Sequence, residues 1–512
     1  MPGPQRRRTA KSGPTRRSLL PYRRPPTRAG NPVLVHVTAE FSPYARTGGL
    51  GEAVAGLVNA QARIGQRDIV VCMPYYRAVR ESGLDLEPVG PEQSIRLGDH
   101  NETVRYLAPA GRRTTPHVVF IDAPAYFDRP GLYGDGGADY PDNHRRFALL
   151  SLGALHWVQH AAPRPVIIHA HDWHTGLLPV FLRRDDRFRD SMKTTAVVFS
   201  VHNAGYQGRF PQAAFNDLGL DHALWSPNAL EAYGQFNLLR GGLVFSDHVV
   251  TVSPTHAHEL RTVDGAFGQH DVFRALGSRF VGICNGIDQH IWDPATDPHI
   301  AATFSRDHIA GKAACKAALQ EEHRLPLRPD VPVFAMTTRL AEQKGFELIL
   351  RSERVYTADV QFVFLGRGDP RYHDALGRLA RERPSHVAAE FGFTDEREHR
   401  VIAGADFLLM PSLYEPCGLT QMRAQRYGAP VVARRVGGLS DTITDGETGF
   451  LFDAYDPAAF DSALDRAVAA FGDPARLQVM RHTSMGRDFS WDGVAEQYRD
   501  AYAAALGRVS AS

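Results

Sequence analysis

Short, continuously apolar runs alternate with helix-compatible stretches along almost the whole chain. This texture constrains the fold more than any composition figure. Residues 33–37, 69–72, 118–121, 166–168, 196–199, 249–252 and 280–284 read as strands. Many are continuously apolar rather than apolar at every second position, as strands buried on both faces are. Between them lie helical patterns. In residues 52–64, Val54, Leu57, Val58 and Ile64 share one helical face, and Gly65 stands where a left-handed cap ends a helix. After a polar, proline-containing stretch, 288–330, the texture restarts with strands at 333–336, 360–365, 387–391, 407–410 and 431–433. Strand–helix alternation favours parallel sheets with right-handed crossovers. The expectation is an α/β chain of two doubly wound, Rossmann-like domains, 32–288 and 289–490, with a cleft between them. A last helix within 491–512, opening at Trp491, is expected to cross back to the first domain.

A length of 512 residues suits two or three domains, and 43% hydrophobic with 22% charged residues is a globular balance. A formal net charge of +1 argues against a general nucleic-acid binder, so an anionic ligand must be met by local charge. Cys72, Cys284, Cys315 and Cys417 are scattered, with neither metal-site spacing nor a disulfide framework, which points to a reducing compartment, the cytoplasm. No apolar run approaches the roughly 20 residues of a membrane span. Residues 1–31 carry Arg6, Arg7, Arg8, Lys11, Arg16, Arg17, Arg23, Arg24 and Arg28 with no acid, and read as a disordered basic tail. The tail lacks the apolar centre of a secretory signal. A solvated tail, a contact to polyanions and a plastid transit peptide are its three readings.

Loops at the C-terminal ends of strands are where ligands sit in open α/β sheets. One such loop is Ser412-Leu413-Tyr414-Glu415-Pro416-Cys417-Gly418-Leu419-Thr420-Gln421, which places the carboxylate of Glu415 beside a helix N-terminus. Another carries Arg339 and Lys344 just past the first strand of the second domain, two cations suited to a diphosphate or to plain solvation. Arg46-Thr47-Gly48-Gly49-Leu50-Gly51-Glu52 opens the first helix; its amides and the helix N-terminus suit a phosphate, although a mere tight turn reads the same. Gly437-Gly438-Leu439-Ser440 is a second glycine-rich turn of this kind, expected to face Gly48 and Gly49. His169-Ala170-His171-Asp172-Trp173-His174 puts two imidazoles on one strand face, a spacing that raises a metal site. A sugar-contacting pair, Asp172 accepting hydroxyls and Trp173 stacking, is preferred, with core packing of Trp173 the alternative. His202, in Ser200-Val201-His202-Asn203, could donate to a sugar hydroxyl or simply be a satisfied structural histidine.

Taken in order, these segments resemble the bacterial glycogen synthases and plant starch synthases, across roughly residues 32–491. Matching text also includes Asp122-Ala123-Pro124, Asp128-Arg129-Pro130-Gly131-Leu132-Tyr133-Gly134, Val252-Ser253-Pro254-Thr255 and Cys284-Asn285-Gly286-Ile287-Asp288. The resemblance implies the two-domain GT-B fold and transfer of glucose from ADP-glucose to the non-reducing end of an α-1,4-glucan, with retention and with neither metal nor cofactor. It implies that Arg46, Gly48, Gly49, Arg339, Lys344, Gly438, Leu439 and Thr420 serve the donor, and that Glu415, Asp172 and His202 stand around the reacting glucose. Trp173, Tyr133, Asn203 and Asn285 are implied as acceptor or sugar contacts. Two residues depart from the family text: Arg46 replaces a lysine, and Glu52 replaces an aspartate. Position 423, glutamate in many other GT-B enzymes, is Arg423, which favours the glycogen and starch branch. A GT-B transferase using UDP-glucose or a small acceptor, and an inactive glucan-binding protein, are the rival readings.

Overall fold

Thirteen parallel strands in two sheets form the frame of this computed structural model, which describes residues 32–65, 68–111, 115–161 and 166–511. The basic segment 1–31 lies outside the described residues. The first sheet contains β1 (Val33–Val37), β2 (Ile69–Pro74), β3 (His117–Asp122), β4 (Val166–His171), β5 (Ala196–Val201), β6 (His248–Thr251) and β7 (Phe280–Gly282). The second contains β8 (Val333–Thr337), β9 (Gln361–Leu365), β10 (Val387–Glu390), β11 (Phe407–Met410), β12 (Val431–Arg434) and β13 (Gly449–Phe452). Most of these strands are buried at every residue, the physical counterpart of their mostly apolar text.

The orders are β7-β6-β5-β4-β1-β2-β3 and β10-β9-β8-β11-β12-β13. In each sheet the winding reverses once, between β1 and β4 and between β8 and β11. Crevices outside the carboxyl ends of such pairs are the binding places of open α/β sheets. Three antiparallel strands, Leu86–Pro88, Gln93–Leu97 and His100–Pro109, extend the first sheet beyond β3. The sequence reading missed them: they are half exposed and alternate, unlike the buried runs around them. It also missed β13, and the helix Gly311–Glu322 inside the polar stretch.

The helices that matter for the site are α1 (Gly49–Arg63), α2 (Pro254–Glu259), α3 (Thr420–Arg426), α4 (Gly437–Thr442) and α5 (Trp491–Ala511). Ile64 closes α1, and Gly65 follows it at φ 101°, a conformation glycine adopts without steric cost. The chain passes between domains twice, side by side. Ile287 N–H donates to Phe489 O at 2.8 Å, and a Cβ on Gly286 would stand 2.9 Å from Trp491 N. Helix α5 then packs on the first domain, where Trp491, Val494, Tyr498 and Tyr502 share a core with Leu34, Leu57, Ile167 and Val198. Gly56 makes room for this, since a Cβ there would fall 2.1 Å from Trp491 Nε1. Each large side chain so buried contributes roughly 1.5–3 kcal/mol.

Candidate active site

The C-terminal ends of the two sheets face one another, and both winding reversals bring charged side chains to that junction. After β11 the chain turns through Pro411 and Ser412 to Glu415; after β8 it runs to Lys344. Gly345, at φ 79°, allows these two loops to touch: a Cβ there would overlap Pro411 O at 1.9 Å. Leu413 N–H donates to Gln343 O at 2.8 Å, and Gln343 Nε2 donates to Tyr414 O at 3.1 Å. So aligned, Lys344 Nζ meets Glu415 Oε2 at 2.7 Å, and Ser412 Oγ donates to the same oxygen at 3.1 Å. The side chains are 15% and 7% exposed, so the pair is largely desolvated yet reachable from the cleft. Arg339 is exposed and makes no ion pair among the described residues, so its guanidinium is free to meet an anion.

Opposite, Asp172 follows β4 at φ 57° and ψ 178°, a strained backbone for a residue with a side chain. Its Oδ1 accepts from His202 N–H at 2.8 Å and Asn203 N–H at 3.4 Å, joining the loops after β4 and β5. Burial pushes the Asp172 carboxyl up to about 7 and His202 down to about 4, so His202 is neutral near neutral pH. His202 Nε2 lies 3.1 Å from His171 Nδ1, and its own Nδ1 makes no hydrogen bond among the described residues. Asn203 Oδ1 accepts from Gly205 N–H at 2.9 Å. Asn285, in the chain's first passage between domains, reaches Cys417 of the Glu415 loop through its backbone.

The glycine turns behave differently from one another. Gly48 and Gly49 are exposed, and their amides make no hydrogen bond among the described residues, so the N-terminus of the long helix α1 is open to an anion. Gly49 lies 3.9 Å from Leu419 of the other domain, measured from a built Cβ. At the second turn the expectation of open amides fails in this conformation. Gly437 N–H donates to Glu259 Oε1 at 2.8 Å, Gly438 N–H to Glu415 O at 3.1 Å, and Leu439 N–H to Val436 O at 3.0 Å. The turn faces α2, not Gly48: Thr255 Oγ1 donates to Asp441 Oδ1 at 2.7 Å. Thr420 opens α3, part-buried beside Leu419.

Both residues that depart from the family text tie the domains together. Arg46 pairs with Asp395, and Glu52 pairs with Arg423. Arg423 also bonds Glu398 at 2.9 Å and lies over the Trp292 ring at 4.4 Å. Trp173 is part-buried and packed on one side. His174 stacks on it at 4.1 Å, Phe147 meets it edge-on at 5.1 Å, and a Cβ on Gly208 would stand 2.2 Å from its ring. These contacts favour the packing alternative for the indole. Tyr133 is turned inward as well: its hydroxyl donates to Glu40 Oε1 at 2.5 Å, and its ring stacks on His174 at 4.7 Å. Glu40, which also accepts from Thr47 N–H and Oγ1 at 2.8 Å each, holds the glycine loop that follows β1. Sequence reasoning missed Glu40, Ser412 and Glu259; a lone glutamate after an apolar run was the only signal for the first.

Residues 33–275 match the family model described as the starch synthase catalytic domain, and 331–470 match glycosyl transferases group 1. The chain is 41% identical to a glycogen synthase of Anaeromyxobacter dehalogenans strain 2CP-C, over 92% of this chain and 98% of that one. It is 39% identical to a glycogen synthase of Myxococcus xanthus strain DK1622, over 91% and 98%. Among solved structures, the catalytic domain of starch synthase IV from Arabidopsis thaliana, bound to ADP and acarbose, superposes with a TM-score of 0.84 at 31% identity, covering 93% of this chain and 99% of that one. Sucrose-phosphate synthase from Thermosynechococcus elongatus, at 19% identity and a TM-score of 0.57 over 93% and 100%, shares the fold alone. The architecture is GT-B, two Rossmann-like domains joined twice. With such identity sustained over nearly its full length, the chain belongs to the bacterial glycogen synthase and plant starch synthase family of glucosyltransferases.

Proposed function

We propose that this enzyme transfers glucose from ADP-glucose to the non-reducing 4-hydroxyl of an α-1,4-glucan with retention of configuration. The observation that carries the reading is the desolvated Lys344–Glu415 pair at the second winding reversal, with Arg339, which makes no ion pair among the described residues, in the same loop as Lys344. The names of the relatives and the ADP and acarbose bound by the plant neighbour support the donor and the acceptor. The bacterial relatives support a cytoplasmic location.

In this reading the bond from glucose C1 to the diphosphate oxygen breaks, and negative charge grows on the diphosphate. Arg339, Lys344 and the amides of Gly48 and Gly49 stabilise that charge without having to reorganise. Glu415 holds Lys344 in place and faces the developing positive charge on the sugar. His202 offers Nδ1 to a glucose hydroxyl, while Asp172 fixes the His202 loop. The acceptor oxygen attacks C1 from the face the diphosphate leaves, and its proton passes to a departing phosphate oxygen. Substitution through a covalent carboxylate is the other route to retention.

The test is incorporation of labelled glucose into glycogen from ADP-glucose and from UDP-glucose in parallel. Preference for UDP-glucose would favour the rival donor. Absence of turnover with either sugar would favour the inactive glucan-binding reading.

A further inference from the structure

Beneath His202 lies a set of imidazoles that the transfer chemistry does not touch. His36 on β1 and His169 and His171 on β4 are fully buried, with one nitrogen of each within 4.8 Å of the others. That spacing would suit a metal, but hydrogen bonds already account for the rings. His202 Nε2 meets His171 Nδ1 at 3.1 Å, His171 Nε2 meets His36 Nδ1 at 3.0 Å, and His36 Nε2 meets Gln61 Oε1 at 2.9 Å. Gln61 Nε2 donates to the Tyr502 hydroxyl at 2.7 Å, Tyr502 meets His169 Nδ1 at 2.9 Å, and His169 Nε2 meets Ser200 Oγ at 2.7 Å. The chain runs unbroken from α5, at the end of the polypeptide, through α1 and two strands to the cleft.

Burial holds His36 at about 3, His202 at about 4, and His169 and His171 well below their ordinary value, so each ring is neutral and carries one proton. A neutral imidazole has one N–H and one lone pair, so its two bonds must run in the same direction. The direction at one end therefore dictates it at the other. Gln61 sets the direction, because an amide exchanges its N–H and C=O ends only by turning over, and here its Nε2 donates to Tyr502 while its carbonyl faces His36. With the Gln61 carbonyl on His36, His36 carries its proton on Nε2, His171 on Nε2, and His202 on Nε2.

We propose that Gln61, held by Tyr502, is a positioning residue for the transfer: through His36 and His171 it keeps the His202 proton on Nε2 and leaves Nδ1 as an acceptor for a hydroxyl of the transferring glucose. This rests on the reading of His202 given above. Gln61 does not touch the substrate; it acts through two rings.

The experiment uses full-length protein with isotope-labelled histidine, reading the imidazole nitrogen shifts at neutral pH and assigning His202 by loss of its signals in His202→Gln. The expected result is an unprotonated Nδ1 on His202 in the wild type. Gln61→Met, and Tyr502→Phe as the milder change, should each give a mixture of His202 tautomers. Their kcat should fall about three- to tenfold, the worth of one hydrogen bond, with KM for donor and glucan held within about twofold. A wild-type His202 protonated on Nδ1, or an unaltered His202 tautomer in the variants, overturns the proposal. Wild-type kcat in His202→Ala would instead remove the reading of His202 beneath it, whatever the tautomer, so the two fail separately.

Discussion

Replacing Glu415 by Gln keeps the shape of the side chain and removes its charge. Ser412 Oγ, at 3.1 Å, can still donate to the amide oxygen. Lys344, at 2.7 Å, loses a carboxylate partner in a place where it is only 15% exposed. A hydrogen bond between charged partners is worth about 1.5–3 kcal/mol, and its neutral replacement about half of that. In the ground state the change should therefore lower stability by only about 1 kcal/mol, softened by the partial exposure of Lys344. On the proposed mechanism the loss in the transition state is larger, because Glu415 would both position Lys344 against the leaving diphosphate and face the charge developing on the sugar. One preorganised electrostatic contact in a closed site is worth about 2.7–4 kcal/mol, or 10²–10³-fold in kcat. The assay is glucose incorporation into glycogen at saturating acceptor, with the donor varied. The expected outcome is a kcat lower by at least about 10²-fold with the donor KM changed only about threefold. Wild-type kcat, or a loss confined to KM, would remove Glu415 from the chemistry.

Arg339→Ala should lower kcat about tenfold or more while leaving Tm unchanged in thermal melts, since Arg339 is exposed and unpaired among the described residues. Arg423→Met strands Glu398 and Glu52 on opposite domains, so it should cost about 3 kcal/mol in denaturant unfolding and open the domains in small-angle scattering. On the acid side, His36 at about 3 and His202 at about 4 in the fold, against 6.5 unfolded, mean that the native state binds fewer protons. Their stability contribution is present above about 6.5 and is lost as pH falls through their folded values, so His36→Asn should flatten the acid limb of a Tm–pH curve. Asp172 has the opposite sign: at about 7 folded against 3.8 unfolded, it makes stability fall as pH rises between those values, and Asp172→Asn should remove that slope.

The frame was legible because its strands are buried on both faces, and apolar runs such as those opening β2, β4 and β11 say so directly. The half-exposed strands from Leu86 to Pro109 carry only an alternating pattern, which is easily lost among polar residues. Glu415 and Lys344 could be singled out because each follows a buried strand by a few residues, and the structure brings them together. Their partner Ser412 lay in the same loop, but hydroxyls there are too common to signal a role. The cross-domain pairs were illegible for a different reason: Glu52 and Arg423 are separated by 371 positions, and charge alone does not reveal the partner. Trp173 was ambiguous because an aromatic beside an aspartate reads equally well as platform or packing; its contacts with Phe147, His174 and Gly208 become visible only in the fold. The amides at Gly437 and Gly438 misled likewise, because Glu259, far off in sequence, occupies the first of them. The histidine chain needs β1, β4, α1 and α5 to be assembled before it exists at all.

The central claim concerns the bond that is made, so the most direct measurement is the linkage and position of the transferred glucose. Labelled glycogen formed from ADP-glucose should release all of its label as maltose on digestion with an exo-acting β-amylase, which removes α-1,4-linked units from non-reducing ends. Label that resists the digestion, or that is found only in a small glucoside, would contradict an α-1,4-glucan synthase.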